Sequence, residues 1–170
     1  MNDFDFLHGT WDVANRRLFR LFAGCDVWET FVGHATVRPL LGGLGNIDEI
    51  VFPTQGFSGA TLRLYDRELD RWSIHWTSSR TGRLDPPVVG GFYGDRGDFF
   101  GIDLYEGRTI RVHFVWHRLG RDQARWEQRF SNDEGATWEL NWVMDLQRVL
   151  APTAERAAPT TTADVPVAVA

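Results

Sequence analysis

Thr137-Trp138-Glu139-Leu140-Asn141-Trp142-Val143-Met144-Asp145-Leu146-Gln147-Arg148 alternates with a period of two. Trp138, Leu140, Trp142, Met144 and Leu146 fall on one face. Glu139, Asn141, Asp145 and Gln147 fall on the other, with Val143. A helix would scatter both sets around its axis, whereas a strand separates them. The segment therefore reads as a strand with a core face and a solvent face. The same period recurs upstream. Ile110, Val112, Phe114 and Trp116 oppose Arg111, His113, Val115 and His117; Trp72, Ile74 and Trp76 oppose Ser73, His75 and Thr77; Trp126, Gln128 and Phe130 oppose Arg125, Glu127 and Arg129.

Further strands are expected over residues 10–19, 27–38, 47–52, 61–66, 88–93 and 99–105, with turn signals at 66–70, 93–97, Glu106-Gly107 and 132–135. That makes about ten short strands in tight succession, the pattern of an antiparallel meander. A meander this long must manage its edges, and closure removes them. The expected fold is thus all-β: a single up-and-down antiparallel barrel, aromatic faces inward and charged faces outward. A two-sheet sandwich is the alternative. Phe4 to His8 is expected to form a short helical turn before the first strand.

Composition agrees with one domain. The chain has 170 residues, enough to bury a core without staples, and its 8 Trp and 12 Phe suit strands and cavity walls. The domain is expected over residues 1–150. Residues 151–170 are rich in Ala, Pro and Thr, without aromatics or periodicity, and are expected to be a disordered tail. Cys25 is the only cysteine, so no internal disulfide is possible, which fits a reducing compartment. It has no neighbouring base in sequence to make it a nucleophile. The acidic N-terminus does not read as a signal peptide, and no run is apolar enough to span a bilayer. A cytoplasmic protein is expected, with no membrane partner. The net charge is −5 and there is no basic stripe, which excludes nucleic acid as a partner. All 18 basic residues are Arg, a bias that GC-rich codons explain without reference to function.

The first expected strand opens His8-Gly9-Thr10-Trp11 and the last ends Asp145-Leu146-Gln147-Arg148. This pair resembles the signature of the calycin superfamily, the lipocalins, fatty-acid-binding proteins and their relatives. The resemblance covers about residues 7–148. It implies that Gly9, Trp11 and Arg148 form a structural plug, with the guanidinium on the indole face at the closed end of the barrel. The runs Pro39 to Glu49, Leu62 to Asp66 and Ser79 to Gly90 also look like a bacterial family of small calycin-like domains. That likeness implies a fold and no particular activity. A haem-binding branch carries a Gly-rich run after Gly-x-Trp-x. Here Asp12-Val13-Ala14-Asn15 stands instead, and no cofactor is expected.

Ser131-Asn132-Asp133-Glu134-Gly135-Ala136-Thr137-Trp138 matches the Asp-box pattern of sialidase propellers. The pattern is a hairpin device in which Asp bonds the loop backbone and Trp packs beneath, so it is read as structural. The Gly-rich run 41–45 lacks the Lys and the helix of a phosphate loop. Asp48 and Glu49 follow it on opposite faces, so one of them must point inward. The loop from Ser78 to Pro87 crowds Arg80, Arg83 and Asp85 beside Pro86-Pro87. It reads either as a gate that binds an anionic group through Arg80 or as a structural corner. His113 and His117 stand on a solvated outer face, too far apart along a strand to share a metal ion, and no metal site is expected.

The inward inventory suggests a ligand site: Trp72, Trp76, Trp116, Trp126 and Trp142, with Gln128 and Arg80 as polar partners. His34 and Glu49 are the expected acid–base pair, both taken to face the lumen. Two functions stand side by side. The barrel binds a small, largely apolar or aromatic molecule. Alternatively it is a barrel-type enzyme, a cyclase, isomerase or hydrolase acting on a small hydrophobic metabolite in natural-product tailoring. A homodimer through the outer face around His75, His113 and His117 is compatible with either.

Overall fold

A computed structural model describes residues 2–150; the expected tail, 151–170, lies outside the described residues. Ten strands follow a 3-10 turn at Asp5–Leu7, with two more such turns at Leu41–Gly43 and Pro53–Gln55: β1 (Gly9–Leu18), β2 (Trp28–Leu40), β3 (Gly45–Phe52), β4 (Phe57–Asp66), β5 (Arg71–Ser78), β6 (Val88–Tyr93), β7 (Arg96–Tyr105), β8 (Arg108–Arg118), β9 (Gln123–Ser131) and β10 (Glu139–Arg148). Each pairs antiparallel with its neighbour in sequence, and β10 closes on β1. The fold is an all-β, closed, up-and-down barrel. No helix among the described residues is long and apolar enough to cross a membrane.

One end of the barrel is plugged. Phe4 is fully buried and meets Trp72 and Phe92 edge-on at 5.0 Å each. Arg118 lies over Phe92 and reaches back to the carbonyl of Asp3 at 2.7 Å. Trp11, also fully buried, donates from its indole nitrogen to the carbonyl of Leu7 at 2.7 Å. The Arg148 guanidinium sits 4.2 Å above the Trp11 ring and donates to the carbonyls of Phe6 and His8. Gly9 is required there twice over. Its φ is +118°, and a Cβ would come within 2.8 Å of the Arg148 guanidinium. The barrel and this plug are compatible with a calycin-like fold.

The Asp-box segment is the β9–β10 hairpin. Asp133 accepts from the Ser131 hydroxyl at 2.7 Å and from the Thr137 amide and hydroxyl at 2.9 and 2.6 Å. These bonds to the charged form hold its carboxyl well below the usual range, at about 2.

Just after this hairpin the simple alternation of β10 breaks. The register slips between Leu140 and Trp142, so Asn141 is an extra, buried residue. Beyond the bulge Trp142, Met144 and Leu146 face inward as expected. Before it the faces are exchanged. Glu139 stands opposite Phe130, which lines the lumen, and Leu140 opposite outward Arg129. Trp138 packs outside against His113 and Phe100. The expectation that Trp138 and Leu140 share the core face is corrected by this one residue.

Candidate functional site

The interior between plug and mouth is a cavity of about 200 Å³. Its wall is largely apolar and carries six aromatic rings: Trp76 from β5, Phe114 and Trp116 from β8, Trp126 and Phe130 from β9, and Trp142 from β10. Trp126 stacks edge-on to Phe114 at 4.9 Å and to Trp142 at 5.7 Å, so the rings brace one another. Trp76 lies across Gly59 of β4. A Cβ at Gly59 would fall 1.9 Å from the indole, so only glycine leaves room for the ring.

Polar groups enter this wall at two levels. Toward the plug, β3 and β4 bring Asn46, Asp48 and Arg63 together, all more than nine-tenths buried. Arg63 donates from Nη1 to Asp48 at 2.6 Å and to Asn46 at 3.0 Å. Its guanidinium carbon lies 5.3 Å from the Phe4 ring centre and 5.4 Å from that of Trp116. The pair is thus sandwiched by aromatic rings, and the Asp48 charge is compensated where water would otherwise be needed. Arg63 Nε and Trp116 Nε1 have no hydrogen-bond partner among the described residues.

Toward the mouth stand Asp103 of β7 and Asp85 of the β5–β6 loop. The β5–β6 ladder is short: Trp72 opposite Gly90, Ser73 opposite Val89, and Ile74 opposite Val88. Beyond it the loop takes over as wall, with the Asp85 amide donating to the Trp76 carbonyl at 2.8 Å. Partial burial, and next the nearby negative charge of Asp103, raise the Asp85 carboxyl above its ordinary value; Arg83 opposes them. The β1–β2 loop folds over the mouth. Phe22 packs on Tyr105 at 5.8 Å, and its amide donates to the Glu139 carboxylate at 3.0 Å. Arg17 sits inside the rim over Trp142 and bonds Glu29 at 2.7 Å.

Of the residues expected to form the ligand site, Trp76, Trp116, Trp126, Gln128 and Trp142 line the cavity. Trp72 faces inward but belongs to the plug, where it donates to Asp3 at 3.1 Å. Arg80 does not line the cavity. It clamps the β5–β6 loop to the β3–β4 turn, donating to the Gln55 carbonyl at 3.1 Å and lying 4.0 Å over Phe57. The loop is therefore a corner braced by Arg80.

The lumen placement of His34 and Glu49 is corrected. Both lie on the outer wall, because Phe31, Gly33, Ala35 and Val37 are the buried set of β2, and Asp48, Ile50 and Phe52 that of β3. His34 is exposed and meets outward Asp12 at 2.8 Å. Asp48 is the carboxylate that faces inward. His113 is on the outer wall as expected but is not solvated. It is 9% exposed, stacks on Phe100 at 4.2 Å and meets Asp98 at 2.7 Å.

Arg63 and Asp103 are lining residues that simple alternation conceals. In β4 and β7 the apolar members, Leu62 and Leu64 or Ile102 and Leu104, occupy the parity that proves to be outside. The signal that exposes this is Asp48: opposite Thr61 and beside Arg63 in register, it needs a buried cation. No protein-family model matches the chain, and no curated protein matches it.

Proposed function

We propose that this barrel binds a small, flat, largely apolar molecule in its lumen. The observation that carries the reading is the aromatic-walled cavity of about 200 Å³, stopped at one end by the Trp11–Arg148 plug and reached from the other. An apolar cavity of about 150 Å³ is enough to bind benzene, so one or two fused rings fit this volume. Apolar walls with a few convergent polar groups are the usual make-up of small-molecule sites. With His34 and Glu49 on the outer wall, binding is better supported than catalysis by that pair. The calycin-like resemblance favours the same function.

The test is titration with 1-naphthylamine, a flat two-ring fluorophore that is uncharged at neutral pH and accepts energy from Trp. Saturable quenching of Trp emission is expected, weakened about tenfold or more in Trp76→Ala, as for loss of an aromatic wall residue. Absence of saturable quenching, or quenching indifferent to Trp76→Ala, would sink the reading.

A further inference from the structure

The charged groups that line the cavity do not balance. Asp48, Asp85 and Asp103 face it, and among the described lining residues Arg63 is the only cationic side chain. Arg63 is already committed to Asp48 at 2.6 Å. The two carboxylates at the mouth therefore have no cation among the lining residues: Asp85 is partly buried near the charge of Asp103, Arg83 opposes it from outside the lining, and Arg17 at the rim is bonded to Glu29. An anionic ligand would add to that repulsion; a cationic one would relieve it. Rings of the same lining, Trp76 and Phe130 among them, suit an alkylammonium, which aromatic faces attract and which gives up its water more readily than a small metal ion does.

The inner end of the same cavity makes an independent demand. Arg63 is 4% exposed, both of its hydrogen bonds leave from Nη1, and its Nε has no partner among the described residues. Trp116, 5% exposed and beneath that guanidinium, also has an unpartnered indole nitrogen. Buried donors without acceptors are rare in folded proteins. They mark the inner end as the place for a neutral oxygen acceptor, because Asp48 already cancels the Arg63 charge.

We infer that the ligand class is an arylalkylamine, protonated at neutral pH, its ring body among the cavity tryptophans, its ammonium at Asp85 and Asp103, and any neutral oxygen acceptor directed toward Arg63. This inference rests on the lumen-binding reading and names the chemistry of that site.

Three naphthalenes of the same skeleton test it by calorimetry near neutral pH: 1-naphthylmethylamine, 1-naphthylmethanol and 1-naphthoate. The amine is expected to bind at least about tenfold more tightly than the alcohol, with the carboxylate weakest, as desolvated charge pairs discriminate. In the double variant Asp85→Asn/Asp103→Asn the amine should fall to within about twofold of the alcohol, while the alcohol binds as before and so reports an intact lumen. An amine with no advantage over the alcohol, or an advantage that survives the double variant, overturns the inference. Quenching by 1-naphthylamine tells the two failures apart. If it persists, the lumen reading stands and only the amine assignment falls; if it too is absent, both fall.

Discussion

Single residues decide the shape and polarity of the lumen. Gly59 is the sharpest case, because the Trp76 indole occupies the space of its missing side chain. Gly59→Ala should destabilise the barrel by about 1–3 kcal/mol, the usual cost of overpacking. The double variant Gly59→Ala/Trp76→Ala should lose much less than the sum, since the clash is gone. Denaturant melts of the four proteins measure this, and simple additivity would show that Trp76 has another place to go. Arg63 and Asp48 form the second case. Breaking a buried pair from one side leaves an uncompensated charge, so Arg63→Met should cost about 3–5 kcal/mol. Arg63→Met/Asp48→Leu should recover most of it in the same melts. A single variant as stable as the parent would mean that the pair is hydrated.

Elements add what no residue carries alone. The β9–β10 hairpin is tied by Asp133, whose folded pKa, about 2, lies below its ordinary 3.8. A depressed carboxyl contributes stability that is complete above about pH 4 and is lost as pH falls through about 2. Asp133→Asn should therefore lower the melting temperature at neutral pH, and the gap to the parent should narrow as pH falls through that window. A gap unchanged between neutral pH and about pH 2 would deny Asp133 that role. The hairpin also sets the bulge at Asn141, which turns Glu139 inward to hold the Phe22 amide across the mouth. Glu139→Ala should speed hydrogen exchange at the Phe22 amide by about tenfold or more, with the β-ladders unchanged, because only a local opening is freed. Exchange at the parent rate would show that Phe22 is held by its packing on Tyr105 alone.

At the scale of the whole barrel the wall is not uniform. β1 and β2 pair along their full facing length, from Gly9 opposite Val37 to Leu18 opposite Trp28, and β7 and β8 from Arg96 opposite His117 to Tyr105 opposite Arg108. The β5–β6 ladder ends at Ile74 and Val88, and the loop with Asp85 and Pro86 completes the wall. Cooperative opening follows the weakest seam. Native-state hydrogen exchange should therefore find the amides of β6 least protected and those of β1, β2 and β8 most. Equal protection around the barrel would mean that the seam opens only with global unfolding. Since Asp85 and Asp103 flank that seam, ligand binding in the lumen should slow exchange there first.

The sequence by itself determined the class of fold. Period-two alternation in β5, β8, β9 and the second half of β10, punctuated by turns, suffices for an antiparallel meander, and the calycin-like resemblance carried by Gly9, Trp11 and Arg148 implies its plug. It also determined the aromatic wall, because large rings on a strand with a charged opposite face have one favourable orientation. The polar half of the site was a tertiary decision. In β4 and β7 Leu62, Leu64 and Leu104 lie on the outer parity and Arg63 and Asp103 on the inner one, against local alternation. Closure leaves no strand free to choose its own face: each register is dictated by its two neighbours, and β4 must bring a cation to Asp48 of β3. His34 and Glu49 fall outside for the same reason. Both faces of β2 offer apolar side chains, so the choice between them rested on the register of β2 with β1 and β3, which local sequence does not carry.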